Sequence, residues 1–134
     1  MVIRAAFATD DGKRFNNRHF GDADRYAIYE IGKDGYRFVE KIENSSTEES
    51  GEVHADPEKA RSVASLLLER DVNTAVSRIF GPNIKRMRKR FVCLLMDDMP
   101  LEKAAELVRE HFEAIEVEWQ KGEERGHIRL KKEQ

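Results

Sequence analysis

The stretch VNTAVSRIFGPNIKRMRKRFVCLLM, residues 72–96, decides the fold class of this 134-residue chain. Val72 to Phe80 is a strand-like run, and Phe91 to Met96 is a continuous apolar run of strand length. Between them, Gly81-Pro82-Asn83 ends the first strand and opens a short helix through Arg90. A strand, a helix and a second strand in succession indicate a right-handed crossover between parallel strands. The chain is therefore predicted to be an α/β protein.

The residues before this stretch add an antiparallel part to the sheet. Residues 2–9 form a short apolar run typical of a buried strand, and the runs Tyr26 to Ile31 and Tyr36 to Ile42 are separated by a Gly-containing turn. This pattern predicts a β-hairpin after the first strand. A polar connector from Asn44 to Ala55 then leads to Asp56-Pro57, where a helix begins. The sheet is thus expected to be mixed, with helices on its faces.

The C-terminal residues are predicted to form a helix followed by a β-hairpin. Pro100 opens the helix, and beyond it Ile115, Val117 and Trp119 alternate with acidic residues. Ile128 and Leu130 then alternate with basic residues after a Gly-containing turn. We expect one domain over residues 1–134, with a core at 2–114 and this extension at 115–134.

Composition restricts the class of partner. Charged residues make up 37% of the chain, yet the formal net charge is only -2, so no global field attracts nucleic acid or a membrane surface. The single cysteine, Cys93, lies within a predicted strand and is expected to be a buried core residue without a disulfide. No leader pattern precedes the first strand, which favours a cytoplasmic protein.

Ligands of open α/β sheets bind beyond the carboxyl ends of the parallel strands, where loops and helix N-termini converge. The first strand ends at Thr9 and leads into a polar loop that contains Asn17 and His19. The next parallel strand ends near Gly81-Pro82-Asn83. We therefore expect these two loops to share one edge of the sheet and to form the ligand site.

The motifs along this edge carry a resemblance to a known family. These motifs are Thr9-Asp10-Asp11-Gly12, His19-Phe20-Gly21-Asp22-Ala23 and Phe80-Gly81-Pro82-Asn83. They occur in an order and spacing that resemble the dinitrogenase iron-molybdenum cofactor biosynthesis family. Glu43-Asn44 and His54 fall in the same order, and the resemblance covers about residues 2–114. It implies a ribonuclease H-like, three-layer fold with a mixed five-stranded sheet in the order 3-2-1-4-5.

The resemblance also implies a ligand class. Family members bind, carry or insert iron-sulfur or molybdenum-containing clusters, and His19 and His54 match positions suited to metal contact. Where relatives often have a small, Gly-rich stretch, this chain has Ser77-Arg78-Ile79, which narrows the pocket and offers Arg78 to an anion. The candidate cofactor-binding residues are Thr9, Asp10, Asn17, His19, Phe20, Gly21, Arg78, Gly81, Pro82 and Asn83.

Our leading hypothesis is a non-catalytic carrier that binds a transient iron-sulfur or molybdenum-containing cluster and exchanges it with a donor or acceptor protein. His19 is either a metal ligand or a residue that hydrogen-bonds the loop backbone, and His54 is either a ligand or an ordinary solvated histidine. A second hypothesis is a metal-dependent nuclease or phosphoryl-transfer enzyme that uses four acidic residues and the basic run at 85–90. A third is an interaction or regulatory module without a ligand. The acidic residues are Asp10, Asp11, Asp97 and Asp98.

Overall fold

The computed structural model describes residues 1–45 and 57–130, so His54 lies outside the described residues. The strands in these ranges are β1 (Ile3–Thr9), β2 (Arg25–Ile31), β3 (Tyr36–Glu43), β4 (Thr74–Ser77), β5 (Val92–Met96) and β6 (His127–Leu130). The helices are α1 (Pro57–Leu68), α2 (Ile84–Met87), α3 (Leu101–Glu110) and α4 (Phe112–Gln120), and 3-10 turns occur at Phe20–Asp22 and Gly122–Glu124.

The described strands form one mixed sheet in the order β3-β2-β1-β4-β5-β6. β2 is antiparallel to both β1 and β3, whereas the β1–β4, β4–β5 and β5–β6 pairs are parallel. The predicted order 3-2-1-4-5 is thus confirmed for five strands, as is the hairpin that precedes the parallel strands. The predicted number of strands is corrected from five to six, because β6 extends the sheet beyond β5.

The predicted C-terminal hairpin is wrong, because its first half is the helix α4. Phe112, Ile115 and Trp119 recur at helical spacing and pack against the core, while Val117 is 57% exposed. The alternation with acidic residues suggested a strand, but Glu and Ala are good helix formers and the helical period prevails. The second half is a strand as predicted, although β6 pairs in parallel with β5.

Helices cover both faces of the sheet, which gives three layers with a hydrophobic core on each side. α3 and α4 pack on one face, against a cluster that includes Phe7 and Leu94. α1 and α2 cover the opposite face, where Phe20, Tyr26 and Cys93 are buried. Burial raises the pKa of the Cys93 thiol to about 12, so this cysteine is a core residue, as predicted.

The sheet register places two loops together at one edge. β1 and β4 are parallel neighbours, with Phe7 opposite Val76, so their carboxyl ends lie side by side. The loop after β1 and the segment after β4 therefore leave the sheet at the same edge, as the strand order predicts.

Candidate functional site

His19 and Gly81, one from each of these two loops, are in close contact. A parallel bridge joins His19 to Ile79, and the Phe20 amide donates a 2.8 Å hydrogen bond to the Ile79 carbonyl. A Cβ atom on Gly81 would lie 2.6 Å from both Cε1 and Nδ1 of the His19 ring. Because Gly81 has no side chain, the imidazole rests directly on its backbone.

The imidazole of His19 is partly open to solvent. Its side chain is 34% exposed, and Nδ1 lies 4.0 Å from a carboxylate oxygen of Asp22. Hydrogen bonds within the loop use the backbone carbonyl of His19, which accepts from Asp22 N at 2.9 Å and from Asn16 Nδ2 at 3.4 Å. Within residues 1–45 and 57–130, no hydrogen bond joins the ring to the loop backbone. The ring thus lies partly exposed beside the Asp22 carboxylate.

Phe20 anchors the loop in the core instead of lining the open edge. Its side chain is only 1% exposed and stacks on Phe80, with the ring centroids 5.2 Å apart. Tyr26 packs against it, and the Tyr26 hydroxyl donates a 2.8 Å hydrogen bond to the Phe20 carbonyl. Burial raises the pKa of Tyr26, which keeps this hydroxyl protonated as the donor. Phe20 thus positions the neighbouring His19.

Asn44, at the end of β3, fastens the next turn of the loop. Its side-chain amide donates 2.9 Å hydrogen bonds to the carbonyls of Gly21 and Ala23. Asn16, in the same loop, is buried at 3% exposure, and its Oδ1 accepts no hydrogen bond from the described part of the chain. Asn16 belongs to the loop that was expected at the ligand edge, but it was not among the candidate cofactor-binding residues. No pattern in the sequence distinguishes this asparagine, three residues before His19, from an ordinary loop residue.

Asn17 and Arg78 form a polar contact beside the histidine. The Arg78 guanidinium donates a 2.6 Å hydrogen bond to Asn17 Oδ1, which ties the first loop to the segment after β4. Arg78 directly precedes Ile79, the bridge partner of His19. The structure therefore brings Asn17, Arg78, His19 and Gly81 together.

Thr9 and Asp10 are used for the internal structure of the loop. Thr9 is fully buried, and its hydroxyl donates to the Arg14 carbonyl at 2.5 Å while it accepts from Gly12 N at 2.9 Å. Asp10 pairs with Arg18 at 2.8 Å and accepts a hydrogen bond from the Asp24 amide. Both residues set the path of the chain toward His19.

Pro82 and Asn83 continue from the contact point into α2. Pro82 is exposed, and Asn83 Oδ1 accepts a 3.1 Å hydrogen bond from Arg86. Gly81 adopts a positive φ of 72°, a conformation that side chains with a Cβ rarely adopt, and this bends the chain toward the helix. Gly81 therefore supplies a bare backbone surface against the imidazole, and Pro82 and Asn83 lead from it into α2.

Comparison with known proteins adds to this geometry. A family model described as "Dinitrogenase iron-molybdenum cofactor" matches residues 1–114. The chain belongs to this family. The membership predicted from the His-Phe-Gly and Gly-Pro-Asn motifs is confirmed, and both motifs lie within the matched residues. The family's name associates its members with the iron-molybdenum cofactor.

A named relative is similar to this chain over a shorter range. The protein named "Protein NifX" from Sinorhizobium fredii (strain NBRC 101917 / NGR234) is 41% identical over 51 residues. These residues are 37% of this chain and 31% of the relative. The similarity thus spans less than one third of the relative's length.

The four aspartates of the nuclease hypothesis are not gathered into one site in this family member. Asp97 pairs with Arg129 at 2.9 Å, and Asp98 pairs with Arg14 at 3.3 Å. Over the described ranges, no group of three or more His, Cys, Asp or Glu residues is placed to hold a metal ion. The hypothesis that these carboxylates share one hard-cation site is therefore not favoured, because each of the four pairs with an arginine or accepts from a backbone amide.

The described α-helices are 4 to 12 residues long. None of them combines sufficient length and apolar character to cross a bilayer.

Asp11 provides a test of how the loop is held. Its Oδ1 accepts hydrogen bonds from the amides of Arg14 at 3.0 Å and Lys13 at 2.8 Å, and these bonds lower the pKa of the carboxyl. Asp11→Ala should lower the free energy of unfolding by about 0.5–1 kcal/mol at neutral pH. Because the folded-state pKa is depressed, this stability is present above the ordinary aspartate pKa and is lost as the pH falls through the folded-state value.

Urea unfolding of wild type and variant between neutral and acidic pH measures this difference. Asp11→Asn keeps an acceptor oxygen and serves as the matched control, with a smaller loss that does not vary with pH through the acid range. A wild-type advantage that persists unchanged in strong acid would contradict the assigned role of the carboxylate.

Proposed function

We propose that this protein is a non-catalytic carrier that binds the iron-molybdenum cofactor, or a related iron-sulfur or molybdenum-containing cluster, transiently at His19. The observation that carries the proposal is the partly exposed imidazole lying on the bare backbone of Gly81. A neutral imidazole nitrogen is a suitable ligand for iron and for other transition metals. Family membership supports this class of cargo.

The ligand set favours transient binding over permanent attachment. Permanently held iron-sulfur clusters are ordinarily fixed by several thiolates. Here the lone Cys93 is buried in the core, and its raised pKa keeps it a thiol. His19 is therefore the principal protein ligand we propose, with His54 as a candidate for a second contact. A cargo held by so few ligands can be passed on, which agrees with a donor or acceptor protein as partner.

The neighbouring side chains supply charge and shape. Arg78, which donates a hydrogen bond to Asn17 two residues before His19, offers positive charge to an anionic cargo within the same pair of loops. Phe20 and Gly21 are held by the core and by Asn44, so the histidine is fixed before any ligand arrives. Such preorganisation lowers the entropic cost of binding. Thr9 and Asp10 act through the path of the loop, and Pro82 and Asn83 act through the path of the chain from Gly81 into α2.

His19→Ala should weaken the binding of isolated iron-molybdenum cofactor by about 10- to 100-fold, because it removes the only protein ligand we assign within the described residues. The measurement is an anaerobic titration followed by gel filtration, with iron and molybdenum counted in the protein fraction. His54→Ala should have a smaller effect, since His54 is proposed only as a second contact.

His127→Ala is the matched control, because His127 is an exposed histidine on the outer strand β6. It should bind the cofactor as the wild type does. Equal losses in the His19 and His127 variants, or no retention of metal by the wild type, would refute the carrier proposal. The second of these outcomes would favour a ligand-free interaction module.

We also propose that residues 1–134 form one domain with a ribonuclease H-like core. Support comes from the strand order of the first five strands, which agrees with the order that the family resemblance implies. β5 and β6 pair along four residues, so the C-terminal strand is integrated into the same sheet.

A further inference from the structure

A basic groove lies between α1 and α2, on the face of the sheet that these helices cover. Its volume is about 310 Å³. Four cationic side chains form its rim: Arg61 from α1, and Arg86, Lys89 and Arg90 from α2 and the turn after it. Leu68 and Met87 contribute an apolar floor. None of these residues belongs to the site at His19.

The rim is built from two segments that are distant in sequence. Arg61 and Leu68 are seven residues apart and therefore lie on one face of α1. On the other side, the amides of Arg90 and Phe91 both donate to the Met87 carbonyl, which continues the turn beyond α2. Arg86, Lys89 and Arg90 therefore share a face directed toward α1.

The four cations are exposed and lack acidic partners in the part of the chain that the structure describes. Arg86 donates a hydrogen bond to Asn83, but no ion pair joins Arg61, Lys89 or Arg90 to a described carboxylate. The acidic residues Glu58 and Glu69 line an adjoining hollow, to which Arg61 also contributes. Among the described residues, the side chains that line the groove itself include four cations and no carboxylate.

We propose that the basic groove docks a short acidic segment of a partner protein. Carboxylates of that segment would lie between the four cations, and its apolar side chains would rest on Leu68 and Met87. A simple phosphate would leave the apolar floor uncovered. An acidic amphipathic peptide covers the floor with its apolar side chains and pairs its carboxylates with the cations of the rim. The proposal does not depend on any cargo at His19.

Fluorescence anisotropy with a synthetic peptide built of alternating Glu-rich and Leu-rich stretches tests the docking. The wild type should bind it, and the double variant Arg61→Glu, Lys89→Glu should bind at least about tenfold more weakly. Leu68→Gln should also weaken binding, because it makes the floor polar. A high salt concentration of about 1 M should remove most of the affinity.

Lys85→Glu, Lys103→Glu is the matched control, with the same change of charge at two exposed lysines outside the groove. It should bind the peptide within about twofold of the wild type. Circular dichroism spectra and melting temperatures establish that every variant is folded.

Three results would overturn the proposal. They are the absence of peptide binding by the wild type, an equal loss in the control variant, and equal binding of a peptide whose Leu residues are replaced by Ser. Displacement of the peptide by inorganic pyrophosphate at matched ionic strength would instead identify the groove as a small-anion site.

Discussion

Gly81→Ala should lower the free energy of unfolding by about 3 kcal/mol, because two unfavourable effects coincide at this residue. The positive φ of 72° alone costs about 1–2 kcal/mol for a residue with a Cβ. The added carbon would also collide with the His19 ring at 2.6 Å, so the imidazole must move. Urea unfolding measures the loss, and the anaerobic cofactor titration should detect weaker binding by the displaced histidine.

A matched control separates the two effects. Gly122 also has a positive φ, of 62°, but an added Cβ there meets no atom within 4 Å. Gly122→Ala should therefore cost about 1 kcal/mol, from the backbone alone. In the double variant His19→Ala, Gly81→Ala, the absent ring should recover the part of the loss that the collision causes. Equal costs at Gly81 and Gly122 would contradict the close contact.

Arg125→Ala should lower the free energy of unfolding by about 3 kcal/mol, since a buried cation holds the C-terminal segment to the rest of the protein. Arg125 is 9% exposed and lies over the Trp119 ring, 4.2 Å from its centroid. It donates hydrogen bonds to the carbonyls of Trp119, Arg88 and Lys89 at 3.1, 3.3 and 3.2 Å. The variant would leave these three carbonyls without that donor.

The measurement combines urea unfolding with hydrogen exchange at the β6 amides, which should become faster in the Arg125 variant. Arg129→Ala is the control, because it removes only an exposed ion pair with Asp97 and should cost less than about 1 kcal/mol. Arg125→Lys should recover only part of the loss. The ammonium group keeps the positive charge, but it cannot both stack on the ring and donate hydrogen bonds as a guanidinium does. Unchanged exchange at β6 would show that Arg125 does not secure this strand.

The strand order could be predicted because it depends on local patterns. The crossover from Val72 to Met96 and the hairpin after β1 each appear as short periodic runs bounded by turn residues. The error at 112–120 arose where two periods fit the same residues, since Ile115 and Trp119 suit either a strand or a helix. Burial decided between them, and burial depends on residues far away in sequence.

The sequence predicts at which edge of the sheet the candidate site lies, but it does not predict the contacts within the site. Strand order alone placed His19 and Gly81 at the same end of the sheet. Their direct contact depends on a bridge between segments 60 residues apart, from His19 to Ile79, which no local pattern reveals. Phe20 was predicted to bind the cofactor because of its motif, yet its apolar ring is buried against Phe80. Predicting the basic groove between α1 and α2 would have required the same long-range information.

β6 has a consequence for self-association of the folded chain. Without it, the outer strand of the sheet would be β5, whose residues Val92, Cys93 and Leu94 are fully buried and apolar. A bare apolar strand is a template for aggregation through intermolecular backbone pairing. β6 instead presents the exposed side chains of His127 and Arg129 at this margin, and such polar and charged residues discourage the growth of a sheet across molecules. The added strand therefore acts as protection against polymerisation.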